Sequence, residues 1–534
     1  MINFLKWLPA LATALAMLLA QRSLMHDFQL ESYQFPGYFR TLRRNWKRAL
    51  LPGITLAAYL TLLYLAYRSI DRMLDMSVGK ILLALVNAAL AVAGGWWCRS
   101  IFQQKKAKKP FVVTMRVKRT YIVMGVVYTL LCTPIALLTK VYFCGLLPLL
   151  LPLLVALGGL LAWPIEKLVS EMYFRDAQKK LAARPDIIKI GITGSYGKTS
   201  VKFILGTILQ EKYQTLITPS SFNTPMGVTK IIRERLTPAT QVFVAEMGAR
   251  HVGDIKELCR LVHPRYGVLT SVGPQHLDTF HTLERIKNTK YELMDAVPAD
   301  GCCFFPDDGA ICRELYDRTE KEKRLCCLHY SPDADVWATD VTVSSMGSRF
   351  VLHTSAEEIA CETRLLGEHN IQNILLAATV ALHLGLTMRQ VARGISKLQP
   401  VEHRLQLIPS PGITIIDDAF NSNPKGAEAA VKVLGAFQAR RIIITPGMVE
   451  LGGQEAAFNR EFGRKICGNA DIAILVGKKH TQPIAEGLLA AGFPQGNLHV
   501  VASLDEATAL LRQIGRPGDI AMFENDLPDH YSET

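Results

Sequence analysis

No two of the eleven cysteines stand in a CxxC pair, and none has zinc-ligand spacing with a histidine. That excludes a thioredoxin-type redox centre and a structural zinc knuckle. The scattered thiols, with adjacent pairs at Cys302–Cys303 and Cys326–Cys327, read as reduced, small hydrophobic side chains of a cytosolic compartment. The C-terminal two thirds also lack a basic stripe with interleaved aromatics, so no nucleic-acid partner is expected. The net basic excess is confined to the other end: residues 1–185 carry 24 Lys and Arg against 7 Asp and Glu, and the remainder carries 36 against 40. The net charge of +13 therefore belongs to the N-terminal region, where lipid headgroups are the expected partner.

Long apolar runs are also unevenly placed. Mean hydropathy is positive, and the excess lies in the first ~165 residues. Five segments approach the length that crosses a bilayer core: Ile2–Ala20, Leu51–Tyr67, Val78–Trp97, Tyr121–Thr139 and Val141–Trp163. The first resembles a signal peptide, but its cleavage signal is poor and four further spans follow, so it reads as an anchor. Arg40, Arg43, Arg44, Lys47 and Arg48 fill the first connection. Lys105, Lys106, Lys108, Lys109, Arg116, Lys118 and Arg119 fill the third. The positive-inside rule places both in the cytosol, with the N-terminus outside and all that follows Trp163 inside. Few ionisable groups lie within the spans. Asn87 and a few hydroxyls are the polar exceptions, which favours an anchor or lipid-facing platform over a pore.

Beyond an amphipathic connector at 166–184, the pattern changes to alternating strands and helices. Ile187–Ile192 is a short β-branched run leading into Gly191-x-x-Gly194-x-x-Gly197-Lys198-Thr199-Ser200, and a helical pattern follows from Val201. Strand, glycine loop and helix form the context of a P-loop. Glycines let backbone N–H groups turn to phosphate oxygens, and the helix N-terminus adds partial positive charge. Lys198 can then reach the β- and γ-phosphates and Thr199 can bind Mg²⁺, with Gly194, Ser195, Gly197 and Ser200 completing the nucleotide contacts. Strand-like runs recur at Thr215–Thr218, Gln241–Met247, Tyr266–Val272 and Gly301–Phe305, as in a mostly parallel doubly wound sheet. A second α/β alternation of Rossmann-like character begins at Ile413, and Pro400–Gly412 reads as a linker. The expected organisation is a membrane region at 1–165, the connector, a central domain at 185–405 and a C-terminal domain at 413–534.

Seven blocks occur in the order and at roughly the spacing found in Mur ligases, and the chain resembles that family. They are the glycine loop, Val242–Ile255, Thr270–Phe280, the lysine of Ile286–Glu292, Leu365–Asn373, Glu402–Gln406 and Asp417–Pro424. Within the family they are most similar to the branch that adds D-Ala-D-Ala to the muramyl tripeptide. The resemblance covers about residue 185 to the end. It implies a ligase that phosphorylates a carboxylate with ATP, after which an amine displaces the phosphate. Negative charge then gathers in the cleft and needs metal ions and cations.

By that resemblance Lys198 and Thr199 hold the phosphates and one Mg²⁺, Glu246 ligates Mg²⁺, and His276 ligates a second. Lys290, fourteen residues after His276, falls where the family carries a carbamylated lysine. Asn370 and Asn373 match the nucleotide-contacting asparagines, and Arg404 the arginine that reaches the phosphates from the domain junction. Asp417, with Asn421 and Asn423, matches the contribution of the C-terminal domain. The sequence departs from the family twice. Membrane segments stand where the UDP-sugar-binding domain is expected, which points to an acceptor that is lipid-linked or presented at the membrane surface. Phe523-Glu524-Asn525-Asp526 stands where a Lys-Gly-Ser-Arg-like segment is usual, so the amine's contacts are expected to differ.

Three other readings stay open. Leu451–Glu455 faintly echoes a transport-ATPase signature, but the accompanying acidic strand is missing and the glycine loop has another form. An inactive nucleotide-binding scaffold fits the membrane segments but not the joint retention of Lys198, Thr199, Glu246, His276, Lys290 and Arg404. A membrane-linked ligase for another polymer, of the poly-γ-glutamate or folylpolyglutamate kind, keeps the chemistry and changes the substrates.

Overall fold

The computed structural model describes residues 2–74, 77–103, 110–138, 141–220, 222–344, 347–410, 412–419, 422–449 and 451–526. The chain divides into two compact units, Met1–Glu171 and Met172–Thr534.

The first unit is all helical. Four helices are long and apolar enough to cross a membrane: Trp46–Met73, Val78–Phe102, Met115–Leu138 and Val141–Ala182. A fifth crossing is available if Trp7–Ala20 and Arg22–Leu30, bent by 44° at Gln21, act as one span. The expected first span, Ile2–Ala20, is one helix, and the bend follows it where Gln21, Arg22 and Ser23 end the apolar run. The Ile2–Ala20 helix packs on Ser77–Phe102 and on Met115–Leu138. Its contact face is built from alanines: Ala10, Ala12, Ala14, Ala16 and Ala20 are all buried. Gly95 completes the close approach, since a Cβ there would stand 2.6 Å from the Ala16 Cα. Small residues at helix contacts are the means by which membrane helices gain van der Waals packing. The four lysines expected in the third connection, at positions 105, 106, 108 and 109, lie outside the described residues.

The second unit holds two sheets. The first contains β1 (Ile188–Thr193), β2 (Thr215–Ile217), β3 (Val242–Glu246), β4 (Tyr266–Leu269), β5 (Cys302–Pro306), β6 (Lys323–Cys327), β7 (Val336–Ser344), β8 (Gly347–Thr354) and β9 (Glu358–Thr363). Their order is β2-β3-β1-β4-β5-β6-β7-β8-β9. Pairing is parallel from β2 to β7 and antiparallel through β8 and β9. Strands such as β3 and β5 are buried at every position, as parallel strands covered on both faces must be.

The second sheet contains β10 (Gln406–Ser410), β11 (Ile413–Asp418), β12 (Arg441–Thr445), β13 (Ile472–Val476), β14 (Leu498–Val501) and β15 (Asp519–Glu524), in the order β10-β11-β15-β12-β13-β14. All its pairs are parallel except β10 with β11. The stretch read from its prolines as a linker, Pro400–Gly412, therefore contains a strand. Pro409 is tolerated there because β10 is the edge of its sheet, where a missing N–H leaves no ladder bond unmade. Each sheet keeps its own apolar core. Ile190, Val244 and Val268 lie in the first, and Ile416, Ile443 and Met522 in the second.

Candidate active site

Parallel α/β sheets present ligands at the carboxyl ends of their strands. A cleft of about 690 Å³ opens there in the second unit, lined by residues of both sheets' domains, among them Thr199, Asn373, Arg404 and Asp418.

The glycine loop follows β1. Gly194 has φ of +151° and Gly197 of +80°, conformations open to glycine. Crowding adds a second constraint: a Cβ on Gly194 would meet the Thr270 hydroxyl and the Ser271 backbone. Ser195 fastens the loop to the segment after β4. Its N–H donates to the Ser271 carbonyl at 2.8 Å and its hydroxyl to the Gly273 carbonyl at 3.0 Å. The Tyr196 hydroxyl donates to the Pro274 carbonyl at 2.6 Å. The loop and the strand leading to His276 are thereby one rigid edge of the cleft.

Lys198 opens the helix Lys198–Leu209 and folds back on the loop, donating to the Gly194 and Ser195 carbonyls at 2.7 and 3.0 Å. Burial pushes its ammonium down to about 8. Glu246 opposes that shift and Arg404 adds to it. Thr199 meets Glu246, the last residue of β3: its hydroxyl lies 3.2 and 3.1 Å from the two carboxylate oxygens. Asn223 Nδ2 donates to the same carboxylate at 3.0 Å, and Lys202 Nζ at 2.9 Å. Lys202 and Glu246 are 0% and 1% exposed, so this is a fully enclosed ion pair. Enclosure lowers the Lys202 ammonium from its ordinary value, and Glu246 limits the fall.

Lys290, on the helix Leu283–Ala296, is 2% exposed. Its ammonium forms no hydrogen bond or ion pair among the described residues. Burial, reinforced by Lys198, pushes it well below the ordinary lysine value against the pull of Asp254 and Glu292. His276 adopts a left-handed φ of +53° at the head of the helix Leu277–Phe280.

The second sheet's domain supplies the opposite wall. Burial lowers the Arg404 guanidinium, countered by Asp418 and Glu246. Burial raises the Asp418 carboxyl to about 7, with Arg404 and the Leu405 N–H, 3.2 Å away, pulling the other way. His369 falls to about 4 through burial, with Arg404 adding to the effect.

Gly197, Thr199, Ser200, Asn370, Asn373, Arg404 and Asn423 of the expected set line the cleft directly. Glu246 stands behind Thr199. Asn370 is held from behind, its Nδ2 donating to the Leu366 carbonyl at 2.8 Å. Asn423 caps the helix Pro424–Gly435 through the Gly426 N–H. Asp417 is not among the residues that line the cleft in this arrangement of the domains. It accepts from the Ala419 N–H and pairs with His403 Nδ1 at 2.7 Å, while its neighbour Asp418 faces the cleft. Adjacent strand residues point to opposite faces, so here one of the two acids lines it. Asn421 lies outside the described residues, as does the side chain of Asp278.

Lys202, Asn223, His369 and Asp418 were not singled out by sequence. Lys202 alone left a signal there, standing one helical turn after Lys198 on the same face. Glu524 is likewise buried near this edge. It accepts from the Thr445 hydroxyl at 2.6 Å and from the Ser422 hydroxyl, and burial raises it to about 7.

Residues 192–381 match the profile described as the Mur ligase middle domain, and residues 403–523 that of the Mur ligase, glutamate ligase domain. The UDP-N-acetylmuramoyl-tripeptide–D-alanyl-D-alanine ligase of Mycobacterium tuberculosis strain H37Rv is 33% identical over 358 residues, which are 63% of this chain and 69% of that one. The enzyme of the same name from Escherichia coli K12 is 30% identical over 305 residues, 56% of this chain and 67% of that one. MurF from Acinetobacter baumannii shares the fold with a TM-score of 0.62 at 24% identity, over 68% of this chain and 79% of that one. MurF from Thermotoga maritima, solved with ADP, shares it with a TM-score of 0.61 at 22% identity, over 68% and 82%. The chain belongs to the Mur ligase family, and it is an ATP-dependent ligase that forms carbon–nitrogen bonds between an acid and an amino acid.

Proposed function

We propose that this ligase adds D-Ala-D-Ala, or a related amino acid or dipeptide, to a peptidoglycan precursor at the cytosolic face of a bacterial cytoplasmic membrane. The observation that carries the reading is the contact of Thr199 with both carboxylate oxygens of Glu246 behind a glycine loop that opens on the cleft. Hard oxygen donors of this kind suit Mg²⁺. The names of the relatives supply the substrate pair.

In this reading the loop from Gly194 to Ser200 is a P-loop whose backbone N–H groups, with Lys198, hold the ATP phosphates. Lys198 turns from the carbonyls of its own loop to do so. Thr199 and Glu246 hold one Mg²⁺. His276 and Lys290 hold a second, with Lys290 carbamylated. A buried lysine amine without a counter-ion is the form that can accept carbon dioxide, because the neutral amine is the nucleophile. Bound Mg²⁺ offsets the negative charge that gathers between phosphate and acceptor carboxylate. Arg404 adds a cation from the other wall, and Asn370 and Asn373 contact the nucleotide. Asp417 and Asn421 complete the site from the Rossmann-like C-terminal domain at 413–534 when the domains close on substrate. The central domain is assigned to 185–405, and the helices of 1–165 cross the membrane and continue through the connector at 166–184. They bring the catalytic domains to a lipid-linked or surface-presented acceptor. No nucleic-acid partner is proposed.

One feature favours a second reading, a membrane-linked ligase for another polymer. Phe523-Glu524-Asn525-Asp526 stands at the end of β15, where the family resemblance calls for a Lys-Gly-Ser-Arg-like segment. Both readings are tested by supplying the detergent-purified protein with ATP, Mg²⁺, D-Ala-D-Ala and a muramyl tripeptide acceptor. Phosphate release matched by an amide product of the right mass supports the first. Phosphate release stimulated only by glutamate-type substrates supports the second. No release with any substrate defeats both.

A further inference from the structure

We propose that the N-terminal unit binds the phosphoryl headgroup of an anionic lipid at the break between Trp7–Ala20 and Arg22–Leu30. The inference rests on the membrane placement proposed above and adds a specific ligand to it.

The break has unmet hydrogen-bonding capacity. Gln21 Nε2, Arg22 Nε and Ser23 Oγ belong to three consecutive residues, and each is buried with no hydrogen-bond partner among the described residues. Gln21 is 0% exposed and Ser23 5%. The first two atoms only donate, so what the break lacks is acceptors. Buried donors in native proteins are nearly always satisfied, and a cluster of exceptions calls for a ligand.

Charge points the same way. Arg22 lies over the Phe111 ring at 5.1 Å, and Arg99 lies over the Trp96 ring at 4.8 Å. Neither guanidinium pairs with a carboxylate among the described residues. Both act electrostatically on Tyr121. The nearby acids are already engaged: Glu166 accepts from Arg119 at 2.5 and 2.8 Å, and Asp27 lies 3.9 Å from Arg48. Two arginines are therefore left with cationic capacity to spare.

Topology explains why they meet. With the helix Ile2–Ala20 as the first crossing and Arg22–Leu30 lying beyond it, Arg22 follows the first crossing, Arg99 ends the third, Tyr121 begins the fourth and Glu166 follows the fifth. Alternating crossings bring these ends to one side, the side that the basic connections assign to the cytosol. Phosphate matches a guanidinium with two parallel hydrogen bonds and offers further oxygens to Gln21 and Ser23. The anionic headgroups of the cytosolic leaflet lie at that level. A zwitterionic choline headgroup would set its ammonium against two arginines.

The full chain in neutral detergent is titrated by native mass spectrometry with four probes: a polyprenyl monophosphate, phosphatidylglycerol, phosphatidylcholine and inorganic phosphate. Arg22→Gln/Arg99→Gln is compared with wild type and with Arg68→Gln, whose arginine stacks on Tyr142 at 5.5 Å. The expected result is a loss of at least ten-fold in affinity for both anionic lipids in the double variant, none in Arg68→Gln, and weak phosphatidylcholine binding throughout. Should the double variant melt early, each single variant is expected to lose at least three-fold with a normal melt. Unchanged lipid affinity in properly melting variants overturns the site. Inorganic phosphate bound as tightly as the lipids overturns the lipid assignment. A protein that stays monodisperse without detergent refutes the membrane placement itself, and that result is read independently of the arginine variants.

Discussion

The two units solve opposite solvation problems. In the first, large apolar side chains face outward: Leu62 is 68% exposed, Leu130 67% and Leu138 84%. Its interior holds polar groups without partners among the described residues, including Gln21 Nε2, Thr61 Oγ1 and Asn87 Oδ1. In the second unit the apolar residues are inside, and the enclosed Lys202 and Glu246 are paired with each other. A surface apolar at this density is what a hydrocarbon solvent rewards and water does not. Buried charge is tolerated where chemistry uses it and where partners stand ready. The same twenty residue types thus report solvent in one unit and function in the other.

Breaking the buried pair is the strongest test of the second half of that contrast. Lys202→Met strips Glu246 of its cation while the carboxylate stays enclosed, and a loss of about 3–5 kcal/mol is expected. Chemical denaturation of the full chain in detergent measures it. Lys202→Met/Glu246→Gln, which removes both charges, should recover a large part. Equal losses in the two variants would mean that the pair does not matter as a pair.

The outward apolar face is tested by Leu130→Arg, in the middle of the helix Met115–Leu138. A cost of about 2.5–3.5 kcal/mol for insertion is expected on translocon scales. It is read as the inserted fraction in a glycosylation-mapping assay. An arginine at Leu489, equally apolar but on the second unit's surface, should leave stability within about 0.5 kcal/mol. Similar behaviour at the two positions would erase the distinction between the units.

The smallest effect expected is one of pH. Burial raises Glu524 from the ordinary glutamate value of 4.5 to about 7. The folded state then holds a proton that the unfolded chain has released, so its stabilising contribution is full below about pH 4.5 and is lost as pH rises through about 7. Glu524→Gln removes that dependence. The melting temperature of the variant should gain on the wild type between pH 5 and pH 8. A gap that is flat with pH, or that moves the other way, contradicts a raised carboxyl.

Much of this arrangement is legible in the sequence, for physical reasons that differ by element. The glycine loop is readable because its chemistry is local: backbone turns and a lysine followed by Thr199 and Ser200 lie within seven positions, 194–200. Glu246 is readable because it ends a wholly apolar strand. Lys202 is not, because a lysine on an amphipathic helix is ordinarily solvated, and only the tertiary approach of β3 encloses it. The choice between Asp417 and Asp418 depends on the phase of strand alternation, which one residue of register reverses. β10 is hard to read because Pro409 within it, with Pro400 and Pro411 on either side, signals a turn, and its single antiparallel neighbour is found only once the sheet is assembled. The bend at Gln21 is only half legible: Gln21-Arg22-Ser23 marks where the apolar run stops, but not that a second helix continues from it at an angle.

The central claim is that the helices of the first unit present the acceptor to the ligase site of the second. The direct test is the rate of amide formation by the full chain in detergent with ATP, Mg²⁺ and D-Ala-D-Ala, measured on UDP-muramyl tripeptide and on its lipid-linked counterpart, with Lys198→Ala as the blank. The account predicts product with the lipid-linked acceptor, at least ten times faster than with the soluble one, and none with Lys198→Ala. Equal or faster turnover of the soluble acceptor would make the membrane helices a tether and contradict the claim.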